Sequence, residues 1–129
     1  MTARQARGEY ASMRPRLLIV DDHAGFRAVA RAMLESEGFE VVGEAVDGAG
    51  AVSAAGRLHP AIVLLDVHLP DIDGFAVSEL LAGLPGPPVV VLISSRPIAD
   101  LRQRVLDSPV AGFLAKHELS GAAVTALVE

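Results

Sequence analysis

Apolar runs of four to six residues alternate with amphipathic stretches along most of this chain, and each run stops at polar residues. Arg16-Leu-Leu-Ile-Val20 reads as a first buried strand, closed by Asp21-Asp22-His23. From Ala24 to Glu37, Phe26, Val29, Ala30, Met33 and Leu34 recur at helical spacing with Gly38 past the end, which predicts an amphipathic helix. Glu40–Val46 predicts a more polar second strand nearer a sheet edge, and small residues from about Ala49 to Leu58 predict a helix stopped by His59-Pro60. Ile62-Val-Leu-Leu-Asp66 is a strand of bulky residues without polar alternation, the pattern of a parallel strand covered on both faces. A helix from about Gly74 to Gly83 and a connector Pro85-Gly-Pro-Pro88 lead into a fourth strand, Val89–Ile93. Pro97 stands near the first turn of a helix running to about Asp107. A fifth strand, Val110–Ala115, ends at Lys116, and Ser120–Val128 makes a short last helix. Five β-then-α units with buried strands predict a doubly wound α/β fold, a five-stranded parallel sheet with helices on both faces.

Composition narrows the class. The chain has 129 residues, enough for one core, and 51% of them are hydrophobic, so it reads as one globular domain. No apolar run approaches the roughly 18 residues needed to span a bilayer, and the amino terminus lacks a signal peptide's apolar core. The absence of cysteine excludes a disulfide framework and a thiolate zinc site, and fits a cytoplasmic protein. Residues 1–14 show no hydrophobic period and are expected to be a flexible basic leader, with the domain spanning 15–129. Over residues 1–16, Arg4, Arg7, Arg14 and Arg16 face only Glu9, so of the net −5 the remaining chain carries −8. That argues against direct nucleic-acid binding by the folded body.

Charge is placed as well as counted. Asp21, Asp22, Asp66, Ser94 and Lys116 all stand at carboxyl ends of expected strands, and in a parallel sheet those ends share one rim, where α/β folds bind ligands. An isolated buried carboxylate is too costly, so Asp66 needs a partner. Clustered carboxylates raise one another's pKa unless a cation neutralises them, and an all-oxygen set favours Mg²⁺ with a phosphate nearby. Lys116 is the chain's one lysine beside ten arginines, and a compact ammonium suits a point contact to a phosphoryl oxygen. Ser94 and Ser95 are open between helix capping and phosphoryl contact. His23 and His68 adjoin the acidic cluster, but no spaced His/Cys set supports them as ligands, and His59 and His117 read as surface residues. Gly48-Ala-Gly50-Ala-Val-Ser53 mimics a dinucleotide fingerprint but has Ser53 for its third glycine and lacks the acidic ribose ligand.

These residues together resemble the receiver domain of two-component response regulators over about residues 16–128. The likeness rests on Leu17-Leu-Ile-Val-Asp21-Asp22-His23, Leu64-Leu-Asp66-Val-His-Leu-Pro70-Asp-Ile-Asp-Gly74, Ser94 and Gly112-Phe113-Leu-Ala-Lys116. The opening Asp-Asp-His and the closing Lys-His-Glu-Leu are most like receivers that precede a helix-turn-helix domain. The resemblance implies a flavodoxin-like strand order 2-1-3-4-5 and phosphorylation of Asp66 by a histidine kinase or phosphotransfer protein. It implies Mg²⁺ held by Asp21, Asp22, Asp66 and the backbone carbonyl of His68, and phosphoryl contacts from Ser94, Ser95 and Lys116. Ser94 and Phe113 would form the switch that remodels the face of helix 4, strand 5 and helix 5, a surface for a downstream protein, a missing output domain or a homodimer. Enzymatic activity would go no further than the domain's own phosphorylation and dephosphorylation.

Three departures qualify the match. His117 replaces the proline common after the lysine, Ser95 stands where Ala or Gly is frequent, and the last helix is short, as if truncated. The competing readings are an interaction module that acts without phosphorylation and a Mg²⁺-dependent phosphohydrolase. The second expects Asp-x-Asp after the first strand and meets Asp21-Asp22-His23 instead.

Overall fold

The computed structural model describes residues 14–129, so all of the expected leader except Arg14 lies outside the described residues. The apolar runs form five strands: β1 (Arg16–Val20), β2 (Glu40–Ala45), β3 (Ile62–Asp66), β4 (Val89–Ser94) and β5 (Gly112–Ala115). All pair in parallel, in the order β2-β1-β3-β4-β5. The helices are α1 (Ala24–Ser36), α2 (Gly48–Leu58), α3 (Gly74–Ala82), α4 (Arg102–Leu106) and α5 (Gly121–Val128), with 3-10 turns at Ile98–Asp100 and Lys116–Glu118.

Side-chain alternation along the strands divides the core between two faces. Leu18, Val20, Val63, Leu65, Val90 and Leu92 point to one, where Ala51, Ala54 and Ala55 of α2 and Phe75, Val77 and Leu81 of α3 cover them. Leu17, Ile19, Ile62, Leu64, Val91 and Ile93 point to the other, under Ala30 and Leu34 of α1 and Val124 of α5. The central strands are therefore buried on both sides, which is why they carry no polar alternation. β2, the more polar strand, is an edge as expected.

Two details depart from the sequence pattern. Val29 lies on the solvent side of α1, 64% exposed, although it shares the helical spacing of the buried residues. The expected single helix from Pro97 to Asp107 is instead a 3-10 turn followed by the five-residue α4, none of whose side chains is fully buried. Little apolar packing holds that segment, so its helix does not propagate. The Lys116–His117 peptide is trans. Among the described residues no helix is long and apolar enough to cross a membrane.

Candidate functional site

β1 and β3 are neighbours and end together, so Asp21 and Asp66 meet at the rim that the parallel sheet creates. Both are buried, whereas the Asp22 side chain is 36% exposed. Oxygens of Asp21, Asp22 and Asp66, with a nitrogen of His23, lie within 4.8 Å of one another. Lys116, carried in from the end of β5, places Nζ 2.6 Å from Asp21 Oδ2 and 3.6 Å from Asp66 Oδ2. The same ammonium sits 4.7 Å from the centroid of the Phe26 ring, so the α1 aromatic helps hold it. Lys116 thus leans on Asp21 as its nearer partner.

The backbone orients Asp66. The N–H of His68 donates to its Oδ1 at 3.1 Å. Burial pushes the Asp66 carboxyl upward; the His68 N–H and Lys116 pull it down, while Asp21 and Asp22 add to the rise. Gly74 makes the loop after Asp66 possible, since its N–H donates to Val67 O at 2.8 Å and a Cβ there would lie 2.5 Å from Asp66 O. Asp73 caps α3 through the N–H of Ala76.

A cation fits this set of donors. Three carboxylates converge, and the Lys116 ammonium, 2.6 Å from the buried Asp21 Oδ2, offsets only one of their charges. Asp21, Asp22 and Asp66 are the residues able to hold it.

The remaining expected residues are placed as follows. Ser94 is buried as the last residue of β4, one step past the Asp66–Ile93 pairing, and its Oγ accepts the Arg96 N–H at 2.9 Å. The hydroxyl closes a local turn at the same rim and does not cap α4, which starts farther along. Ser95 is exposed beside it. Phe113 is half-buried on β5 and packs against the core face shared by Leu101 and Val105, around α4. His59 and His117 are exposed, and His68 is half-buried with an Nε2 that has no hydrogen-bond partner.

Several supporting residues carried no local signal. Asp71 accepts the N–H groups of Gly48 and Ala49 at the start of α2 as well as that of Ile72, and these bonds lower its carboxyl to about 2. It ties the loop after β3 to a helix that begins 23 positions earlier. Arg104 of α4 reaches Asp73 at 2.8 Å and stacks 4.2 Å from the Phe75 ring centroid, joining α4 to the start of α3. Arg27 donates to the backbone oxygen of Asp21 at 2.7 Å and pairs with Glu44.

The family model of the response regulator receiver domain matches residues 17–128. The chain belongs to that family. It is 38% identical over 103 residues to the transcription regulator BvgA of Bordetella pertussis, a match covering 80% of this chain and 49% of BvgA. The chain therefore spans about half the length of that curated relative. Among solved structures, the signal receiver domain of the response regulator NarL from Mycobacterium tuberculosis superposes with a TM-score of 0.78 at 32% identity, covering 89% of this chain and 97% of that one. A chain of the CheX–CheY–BeF₃–Mg²⁺ complex from Borrelia burgdorferi superposes with a TM-score of 0.76 at 28% identity, over 88% of this receiver and 85% of that chain.

Proposed function

We propose that this receiver stores a phosphoryl group on Asp66, delivered by a histidine kinase or phosphotransfer protein in the cytoplasm. The observation that carries the reading is the convergence on Asp66: a buried carboxylate with two further carboxylates on one side and the Lys116 ammonium 3.6 Å away on the other. A carboxylate pushed upward by burial and like charge is poised to accept an electrophile. An Asp66 oxygen attacks phosphorus, the bond from phosphorus to the donor nitrogen breaks, and the donor imidazole departs with the electron pair. Lys116 and the Ser94 hydroxyl, with Ser95 at the mouth, meet the phosphoryl oxygens. Mg²⁺ held by Asp21, Asp22, Asp66 and the carbonyl of His68 would neutralise the carboxylates and the incoming oxygens. The relative solved with BeF₃ and Mg²⁺ supports that assignment.

The switch follows from position. Once the Ser94 hydroxyl turns to the phosphoryl group, the Arg96 N–H loses its present acceptor, Phe113 moves with the rim, and the surface of α4, β5 and α5 changes. α4 is held by little apolar packing and carries Leu106 at 71% exposure, which makes this face the adaptable one. It would engage a downstream protein, an output domain or a second copy. The domain's own chemistry stops at gaining and losing the phosphoryl group. Incubation with acetyl phosphate and Mg²⁺ should give an acid-stable, base-labile adduct that is absent in Asp66→Asn. No adduct under conditions that label a control receiver would overturn the reading.

A further inference from the structure

We propose that Phe26 is a positioning residue for phosphoryl transfer, its ring face carrying the Lys116 ammonium as that ammonium passes from Asp21 to the phosphoryl group. The inference rests on the reading of Asp66 as phosphoacceptor and names a residue outside the acidic cluster that acts on it through Lys116. Lys116 Nζ stands over the Phe26 ring, 4.7 Å from its centroid, while it holds Asp21 Oδ2 at 2.6 Å. Its distance to Asp66 Oδ2 is 3.6 Å, so about 1 Å of travel brings it into hydrogen-bonding range on that side. A carboxylate grips an ammonium over a narrow range of distance and angle, whereas a ring face attracts a cation anywhere within about 6 Å of its centroid. The ammonium can therefore slide by about 1 Å toward Asp66 and keep the ring while it gives up Asp21.

The ring is held where this role requires it. Phe26 lies in the first turn of α1, and that turn is fastened to the end of β1 at Asp21 itself. The His23 N–H donates to Asp21 Oδ1 at 2.8 Å, and Arg27 donates to Asp21 O at 2.7 Å. Packing alone does not account for an aromatic here. Phe26 is half-buried at the margin of the core face that Ala30 and Leu34 cover, and an aliphatic side chain there would shield that core without attracting a cation. The Lys116 side chain is only 15% exposed, and a desolvated ammonium gains more from a ring face than an exposed one does. Without the ring, the ammonium would settle on the carboxylates or take up water, and it would have to give up either when the phosphoryl oxygens arrive.

Lys116 is the chain's one lysine, so isotope-labelled lysine gives a single set of side-chain NMR signals. Its ε-CH₂ protons should lie upfield of those of a free lysine through the ring current of Phe26. They should return to the ordinary position in Phe26→Leu and stay upfield in wild type when beryllium fluoride and Mg²⁺ are bound. Phe26→Leu, which keeps apolar bulk, should weaken beryllium fluoride binding in calorimetry and slow acetyl-phosphate labelling about three- to tenfold, the range of a partly desolvated cation–π contact. Phe26→Tyr should restore both. Because Phe26→Leu also alters packing, fluorinated phenylalanines in place of Phe26 give the decisive series. They keep the ring's shape and drain negative charge from its face, so binding and labelling should fall with each added fluorine while the melting temperature holds. An unshifted Lys116 signal, or a flat fluorine series with wild-type labelling intact, would overturn the role of Phe26. Wild type that shows the shifted Lys116 signal but takes neither beryllium fluoride nor label would instead overturn Asp66 as phosphoacceptor, and the proposal with it.

Discussion

Gly74 and Gly56 both lie in helices, and alanine should act in opposite directions at the two. At Gly74 an added Cβ would meet Asp66 O at 2.5 Å, Val67 Cα at 2.9 Å and Asp66 C at 3.1 Å. All three are backbone atoms, and the Gly74 N–H is also bound to Val67 O, so no flexible side-chain end can yield. Overpacking costs about 1–3 kcal/mol, and contact with a hydrogen-bonded backbone belongs at the upper end, about 3 kcal/mol. For a domain of this size about 4 °C of melting temperature corresponds to 1 kcal/mol, so Gly74→Ala should melt about 12 °C lower. The strain falls on the peptide of Asp66, so acetyl-phosphate labelling of the folded fraction should also fall. At Gly56, in the interior of α2, a Cβ meets nothing within 4 Å. Gly56→Ala should therefore gain about 1 kcal/mol of helix propensity and melt about 4 °C higher. Thermal unfolding followed by circular dichroism reads both. A Gly74→Ala protein that melts at or above wild type would refute the argument that this glycine exists to let α3 start against the Asp66 backbone.

Burial holds the Asp66 carboxyl above its ordinary value of 3.8, so its charged form is less welcome in the folded state than in the unfolded chain. Asp66→Asn should accordingly be more stable than wild type near neutral pH, and the advantage should fade as pH falls from the raised folded-state value toward 3.8 and be gone below it, where Asp66 is neutral in both states. Urea unfolding across that range reads it, and equal or lower stability of Asp66→Asn at neutral pH would contradict the sign. Arg104→Ala removes an exposed ion pair with Asp73 and a contact with the Phe75 ring, together worth about 1 kcal/mol. Unfolding at low and high salt should show a loss that shrinks with salt; no loss at low salt would mean that Arg104 does not hold α4.

Local pattern carried the architecture because each strand announces itself twice, by an apolar run and by the polar residue that ends it. Asp21, Asp66, Ser94 and Lys116 were legible as one site for the same reason, since parallel strands bring their carboxyl ends to one rim. Helical spacing was less informative. Val29 falls on the apolar repeat of α1 and still faces solvent, because spacing locates a stripe but not its edge. The segment after Pro97 has helical composition, but α4 lacks a buried side chain to anchor it and shortens to five residues.

What the chain determined by itself was thus the number and order of its layers and the rim where its chemistry gathers, through burial patterns that any short window reveals. Only the tertiary structure decided how those groups pair: Lys116 leaning on Asp21, Asp71 clamping the start of α2, Arg104 bridging to Asp73, and His23 turned over two carboxylates. Hydrogen bonds and ion pairs act over about 3 Å, and three of these four join residues more than 20 positions apart in the chain. No window of sequence holds both partners. The fourth joins near neighbours, where the backbone N–H and the ring nitrogen of His23 both meet Asp21 Oδ1.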